Sequence, residues 1–199
     1  FASGTYGFVE EGRTGGQALR TLGDRALAYS TGGFMRAGFL ENTELSAVTF
    51  NFWTRNEQSG SVYGNENAIE AYVQVGYGGS GSDFALAVAP IEASGDASVL
   101  IGTDAAAALP GSTVTWSDWK MWTVSLSSDG SSTAWSTYLN GDSVGSGSID
   151  ADLFPSVNVV FGAHTWDGGS SGSARMDVDW DDMRIFNRAL ASSEIDWLY

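Results

Sequence analysis

The sequence of 199 residues predicts an all-β fold, namely a two-sheet antiparallel β-sandwich of the jelly-roll type. Trp, Tyr, Phe, Val and Thr recur in short runs, and clusters of Gly, Ser, Asn and Asp separate those runs at roughly 8–12-residue spacing. Helical periodicity is nearly absent. No change of composition marks a linker, so we expect a single domain over residues 1–199.

The predicted strands lie where apolar and β-branched residues cluster or alternate. The clearest alternation is in Ile69–Tyr77, where Glu70, Tyr72 and Gln74 share one face and Ala71, Val73 and Val75 the other. The other predicted strands, in chain order, are Val48–Arg55, Phe84–Ala89, Ser98–Gly102, Met121–Leu126, Thr133–Asn140, Val157–Gly162 and Met176–Phe186.

Two dipeptides, Asp129-Gly130 and Asn140-Gly141, are strong hairpin-turn signals that flank the strand Thr133–Asn140. Helical turns are predicted at only two places. One lies near the C-terminus, where Ser192 precedes Glu194–Leu198 and can accept from an early backbone N–H.

The other predicted helical turn is Ala105–Leu109, which Asp104 would cap and Pro110 would end.

The composition excludes several classes of protein. Asp and Glu number 24 against 9 Lys and Arg, and the net charge of −15 argues against nucleic acid and anionic membrane surfaces as partners. The absence of Cys excludes a disulfide scaffold and a thiolate metal site. No run approaches the ~18 apolar residues of a membrane span. We expect an extracellular domain, mature or cut from a longer exported protein that carries other domains.

Three segments in order carry a family resemblance. They are Gly16–Leu19 with Gly23-Asp24 and Val48–Trp53, then Trp119–Val124 with Asp129-Gly130 and Tyr138–Gly141, and finally Trp180–Leu190 with Glu194-Ile195. The chain resembles the laminin-G-like, concanavalin A-like lectin/glucanase domains over nearly its whole length. The closing segment WDDMRIFNRAL is the most specific match. The resemblance implies a jelly roll and says little about the ligand.

The resemblance raises the possibility of an enzyme, which the residues do not favour. Glucanases of this fold carry a Glu-x-Asp-x-x-Glu pair of carboxylates, whereas the nearest string, Asp177–Asp182, contains no Glu. The chain has one His, and it lacks the Gln-x-His pattern of the lyases. A glycoside hydrolase or polysaccharide lyase therefore stays an alternative.

The resemblance also implies a structural Ca²⁺ that joins the early chain to an Asp of the last strand. If the resemblance holds here, Asp181 or Asp182 supplies one carboxylate ligand. A carboxylate or carbonyl from Glu10-Glu11, with Glu10 as the first candidate, or from Glu41-Asn42 completes the set of oxygen ligands. The alternative is that Asp182 pairs with Arg184 or caps a β-bulge.

The sequence contains 8 Trp, more than a sandwich core requires. By position we assign Trp53, Trp119, Trp122 and Trp180 to the core, and Trp197 to docking of the C-terminal turn. The remaining aromatics are candidates for stacking on sugar rings, with neighbouring polar groups to bond the hydroxyls. The predicted carbohydrate site comprises Trp166, His164, Trp135, Trp116, Tyr77, Tyr72, Glu70 and Gln74.

These observations predict a non-catalytic, lectin-like module that binds a polysaccharide. Because the net charge is −15, we expect a neutral glycan rather than an anionic one. The alternative is a calcium-dependent adhesion module that binds protein.

Overall fold

A computed structural model gives the architecture. It describes residues 5–9, 13, 18–22, 35–36, 45–55, 70–75, 84–88, 97–101, 104–108, 118–154, 159–161, 163–165, 172–175 and 178–199. The strands in these ranges are β1 Thr5–Val9, β2 Ala18–Leu22, β3 Met35–Arg36, β4 Ala47–Arg55, β5 Glu70–Val75, β6 Phe84–Val88, β7 Ala97–Ile101, β8 Asp104–Ala108, β9 Lys120–Ser128, β10 Thr133–Leu139, β11 Asp142–Ile149, β12 Val159–Phe161, β13 Ala163–Thr165, β14 Gly172–Arg175 and β15 Val178–Phe186. The helix α1 is Ser192–Asp196.

The strands form two antiparallel sheets and a separate two-stranded ribbon. The larger sheet has seven strands in the order β1-β2-β15-β4-β9-β10-β11, and the second has six in the order β3-β12-β5-β6-β7-β8. Strands β13 and β14 pair with each other as the ribbon. The predicted all-β sandwich is confirmed.

The core lies between the two sheets and is rich in aromatic rings. Phe50 and Phe52 of β4 face Phe161 of β12, with ring centroids 5.6 and 6.0 Å apart in edge-to-face geometry. Trp180 of β15 lies 5.3 Å from Phe52 and 6.0 Å from Phe161. This cluster joins the centres of both sheets, and the core positions of Trp122 and Trp180 are confirmed.

The two predicted hairpin turns are present at both ends of β10. Asn140 and Gly141 have φ of 53° and 89°, as a two-residue turn of type I′ requires. At the other turn the Asp129 carboxylate accepts the backbone N–H groups of Ser131 and Ser132, each at 2.8 Å. These hydrogen bonds, with that from Ser132 the largest contribution, lower the pKa of Asp129 to about 2.

The segment after β15, residues 187–199, crosses the outer face of the seven-stranded sheet; we call it the C-terminal segment. The hydroxyl of Thr49 donates to the Arg188 carbonyl at 2.8 Å and accepts the Leu190 N–H at 3.1 Å. Ile195 of α1 is fully buried. The side chains of Thr49, Asn51 and other residues of this outer face are therefore buried although they point away from the core.

Helix α1 confirms the predicted C-terminal turn but differs in how it is capped. Its N-cap is Ala191 rather than Ser192, and the carboxylate of Glu194 accepts the Ala191 N–H at 2.9 Å. Arg188 holds the same carboxylate through two contacts of 2.7 and 2.6 Å. The bond from Arg188, followed by that from Ala191, lowers the pKa of Glu194 to about 2.

Two sequence predictions about local structure are wrong. Residues 104–108 form β8, because their pairing with β7 overrides the helical preference of the alanines. Trp197 does not dock, since its side chain is 89% exposed and Ile195 occupies the contact with the sheet. No helix in the described parts of the chain is long and apolar enough to cross a membrane.

Candidate functional site

The ribbon of β13 and β14 packs against β5, and this packing brings together residues from distant parts of the sequence. His164 of β13 pairs with Ala174 of β14, and a bulge follows between His164 and Thr165. Both ribbon strands contact β5, which carries Glu70, Tyr72 and Gln74. Of the predicted carbohydrate-site residues, these four lie on adjacent backbone segments. We call this region, β5 with the β13–β14 ribbon, the ribbon site.

Gln74 of β5 is buried although its side chain points away from the core between the sheets. Val73 and Val75 belong to the core between the sheets, so alternation directs Gln74 to the opposite face. Its side chain is nevertheless 0% exposed. The ribbon also contacts β5, because β13 directly follows β12, which pairs with Val73–Val75 of β5.

The predicted common face of Glu70, Tyr72 and Gln74 is interrupted. The register of β5 against β6 shifts between Ala71 and Val73, so that the four-residue step from Glu70 to Gln74 spans only three residues on β6. This β-bulge breaks the period-two alternation that the sequence pattern predicts.

The prediction that Trp135 forms a surface platform is wrong. Its side chain is 5% exposed and belongs to the core, with its ring centroid 5.9 Å from that of Phe84. Directly opposite Trp135 on β11 stands Gly147, which leaves room for the indole. Alternation along β10 with Thr133 and Thr137, both buried, is the sequence signal that indicates an inward side chain.

The remaining predicted residues stay untested. Trp166, Trp116 and Tyr77 lie outside the described residues, as does Glu10. Trp166 directly follows β13 in the sequence.

A second polar cluster, which the sequence pattern did not reveal, lies at the start of β15. Asp179 is 1% exposed and accepts from Nε and Nη2 of Arg55 at 3.2 and 3.0 Å. The guanidinium Cζ of Arg55 lies 5.0 Å from the ring centroid of Trp119, which is only half-buried rather than in the core. An arginine thus bridges a carboxylate of β15 and an indole.

The same arrangement recurs two residues further along β15. The backbone N–H of Arg13 donates to Asp181 at 2.8 Å, and its Nη1 lies 3.4 Å from Oδ2 of Asp182. The guanidinium Cζ is 3.6 Å from the ring centroid of Trp53. Trp53 is buried as predicted, but on the outer face of the sheet, where Tyr199 stacks on it at 5.8 Å.

The donor set around Asp181 and Asp182 fits an arginine-bridged site better than a calcium site. Oδ1 of Asp181 accepts the Asp182 N–H at 2.9 Å, and Arg184 approaches Asp182 at 3.9 Å. The predicted alternative, in which Asp182 pairs with Arg184 and sits in a bulge, matches these contacts. Among the described residues, no group of three or more His, Cys, Asp or Glu side chains is placed to hold a metal ion. Calcium binding has no direct test in these contacts and stays a prediction.

The sandwich and its ribbon define a lectin-like jelly roll. A sequence profile of the concanavalin A-like lectin/glucanases superfamily matches residues 30–196, and the chain belongs to this family. No curated protein sequence matches the chain.

Several solved structures share the fold at low sequence identity. Domain 4 of AbnA, a GH43 extracellular arabinanase from Geobacillus stearothermophilus in complex with arabinotriose, is 17% identical with a TM-score of 0.56, over 100% of this chain and 86% of that chain. The heptameric SAP-like pentraxin from Limulus polyphemus is 13% identical with a TM-score of 0.56, over 90% and 79%. The botulinum neurotoxin serotype G binding domain is 14% identical with a TM-score of 0.55, over 100% and 45%.

Proposed function

We propose that the protein is a non-catalytic carbohydrate-binding domain and that it binds a polysaccharide at the ribbon site. The observation that supports the proposal is the contact of the ribbon with β5, because His164 belongs to the ribbon and Glu70 and Tyr72 belong to β5. These residue types suit a sugar, because an aromatic face stacks on the ring and polar groups bond its hydroxyls.

Membership of a lectin/glucanase family supports a glycan as the ligand. The likeness to domain 4 of the arabinanase supports this inference, because that domain belongs to an extracellular enzyme and its structure contains arabinotriose. We infer an extracellular location and attachment to a larger polysaccharide-processing protein. The net charge of −15 favours neutral over anionic polysaccharides, because a uronate or sulfate chain would be repelled.

Affinity electrophoresis of residues 1–199 tests the proposal. Native gels would contain arabinan, galactan or β-glucan as neutral glycans and polygalacturonate as an anionic one. We expect retardation by at least one neutral glycan and none by polygalacturonate. A protein that migrates unretarded in every gel would contradict the proposed function.

Substitution at the ribbon site locates the binding. Trp166→Ala and His164→Ala should each weaken retention by about tenfold or more, equivalent to about 1.4 kcal/mol of binding free energy. Trp197→Ala is the matched control, because it removes an indole that is 89% exposed directly after α1. Full retention by both ribbon variants would place the site elsewhere, and selective loss in Trp197→Ala would move it to the C-terminal segment.

A further inference from the structure

The start of β15 places two consecutive carboxylates at one point of the outer sheet face. The register of β15 against β4 shifts between Asp181 and Arg184, and Asp182 adopts a left-handed backbone with φ of 45°. This bulge leaves the Asp181 and Asp182 side chains half-buried and close to the same partner, Arg13. Two negative charges so close require a positive group to be stable.

Arg13 meets that requirement through several different contacts. Its backbone N–H binds Asp181 at 2.8 Å, its Nη1 lies 3.4 Å from Asp182, and its guanidinium Cζ stands 3.6 Å from the centroid of Trp53. A guanidinium is planar, always charged and weakly hydrated, so it stacks on an indole while it faces a carboxylate. A metal ion could not use Trp53 in this way.

The local charges are already balanced. Arg13 and Arg184 lie 3.4 and 3.9 Å from the same oxygen of Asp182, so two cations face two carboxylates. A calcium ion would add two positive charges beside these guanidinium groups and would need about six to eight oxygens. Both oxygens of Asp181 already accept backbone N–H groups.

We propose that Arg13 is the built-in cation of this carboxylate pair and that Asp181 and Asp182 do not bind calcium. Arg13 then links the early part of the chain to β15, where Asp181 lies 168 residues further on; we call this link the Arg13 staple. The family resemblance implies a metal ion in this place, and this chain uses a side chain for the same linkage. The stability of the domain is accordingly independent of calcium at this pair.

Thermal unfolding of residues 1–199 tests the proposal in calcium, magnesium or EDTA at matched ionic strength. Matching is necessary because any salt screens the repulsion in a chain of net charge −15. We expect the same Tm in all three. A rise specific to calcium that Asp182→Asn abolishes would overturn the proposal. A calcium-specific rise that Asp181→Asn abolishes would overturn it equally, and a rise that survives both substitutions would arise elsewhere and agrees with it.

Variants of Arg13 test the staple itself. Arg13→Gln should lower Tm by about 2–8 °C, and Arg13→Lys, which keeps the charge but loses the planar stack, should lose less. Lys120→Gln is the control for the change in net charge, because Lys120 only approaches the exposed Asp118 at 4.0 Å. Equal Tm values for Arg13→Gln and Lys120→Gln would overturn the proposal. If Arg13→Gln fails to fold, Arg13→Lys decides, because it keeps the charge, and a Tm equal to that of the unaltered protein would overturn the proposal.

Discussion

Trp135 and Gly147 show how one residue constrains its neighbour across a hairpin. An added Cβ on Gly147 would lie 2.7 Å from Cζ2 and 2.9 Å from Cε2 of Trp135. The indole is buried, so it has no open space into which it can retreat. Gly147 is therefore required for close packing, and a larger residue there forces the core or the edge strand to move.

Gly147→Val should destabilise the domain by about 1–3 kcal/mol, because overpacking displaces a buried ring. Urea denaturation followed by Trp fluorescence would measure the change in the free energy of unfolding. Ser146→Val is the matched control, since Ser146 is exposed on the same strand. Equal stability of the two variants would show that the indole can be accommodated elsewhere.

Thr49 is a single residue that anchors a whole segment. Its hydroxyl has one hydrogen, which it donates to the Arg188 carbonyl at 2.8 Å. It then accepts from the Leu190 N–H at 3.1 Å and from the Ser125 hydroxyl at 3.1 Å. The hydroxyl of Thr49 thus has its donor and both its acceptor positions filled, and the C-terminal segment is tied to β4 through them.

Thr49→Val should cost about 1–3 kcal/mol, because it leaves the Leu190 N–H without its acceptor under the segment. Thr49→Ser keeps the hydroxyl and should lose less. Amide hydrogen exchange of residues 187–199 should accelerate in Thr49→Val more than in Thr49→Ser. Unchanged exchange in both variants would show that Thr49 does not hold the segment.

At the scale of elements, helix α1 buries one apolar side chain, that of Ile195. Ile195 is 0% exposed, whereas Trp197, which directly follows the helix, is 89% exposed. The larger of these two side chains therefore contributes less to docking than the smaller one. Size alone predicts docking by Trp197, and this prediction fails because the short helix turns Ile195 rather than Trp197 toward the sheet.

Ile195→Ala should lower the free energy of unfolding by about 2–5 kcal/mol, the range for a buried aliphatic residue. Trp197→Ala should change it by less than about 0.5 kcal/mol, since the ring is exposed. Chemical denaturation of both variants provides the measurement. A larger loss for Trp197→Ala would reverse the assignment of the docking residue.

Sequence patterns predict an element well when its local preferences agree with its tertiary contacts. Strands β4, β9 and β10 and the Asn140-Gly141 turn are examples, because alternation and turn chemistry act within the hairpin. Strand β8 is the opposite example, since its alanines favour a helix and only the pairing with β7 makes it a strand.

The candidate site was predictable in its residue types and not in its arrangement. His164 and Glu70 are far apart in the sequence, and their strands come together only because β13 contacts β5. The arginine contacts of β15 escaped prediction for the same reason, because Arg13 lies 168 residues from Asp181. Trp135 was misassigned although Gly147, its cross-strand partner, was visible in the sequence.

At the scale of the whole molecule, a net charge of −15 makes acid stability a competition between two effects. Protonation of carboxylates relieves general repulsion. It also removes specific hydrogen bonds at Asp129 and Glu194, whose pKa values are lowered to about 2. Because each folded pKa lies below the unfolded value, the specific stabilisation is complete above about pH 4 and is lost as the pH falls toward 2.

Asp129→Asn and Glu194→Gln should therefore each flatten the decline of Tm between pH 4 and pH 2, because each variant removes one of the two carboxyl groups with a lowered pKa. Above about pH 5 the slope of Tm with pH should match that of the unaltered protein. Differential scanning calorimetry across this range would measure the slopes. An unchanged slope between pH 4 and pH 2 in both variants would show that these two carboxylates are not linked to acid unfolding.

The position of β15 has a consequence for the order of assembly. β15 lies between β2 and β4, and among the described strands β2 pairs otherwise only with β1. The hairpin that is synthesised first is thus joined to the sheet by the strand that is synthesised last. Such long-range pairing raises the contact order and slows folding. On the ribosome, the two N-terminal strands therefore stay unattached to this sheet until residues 178–186 have emerged.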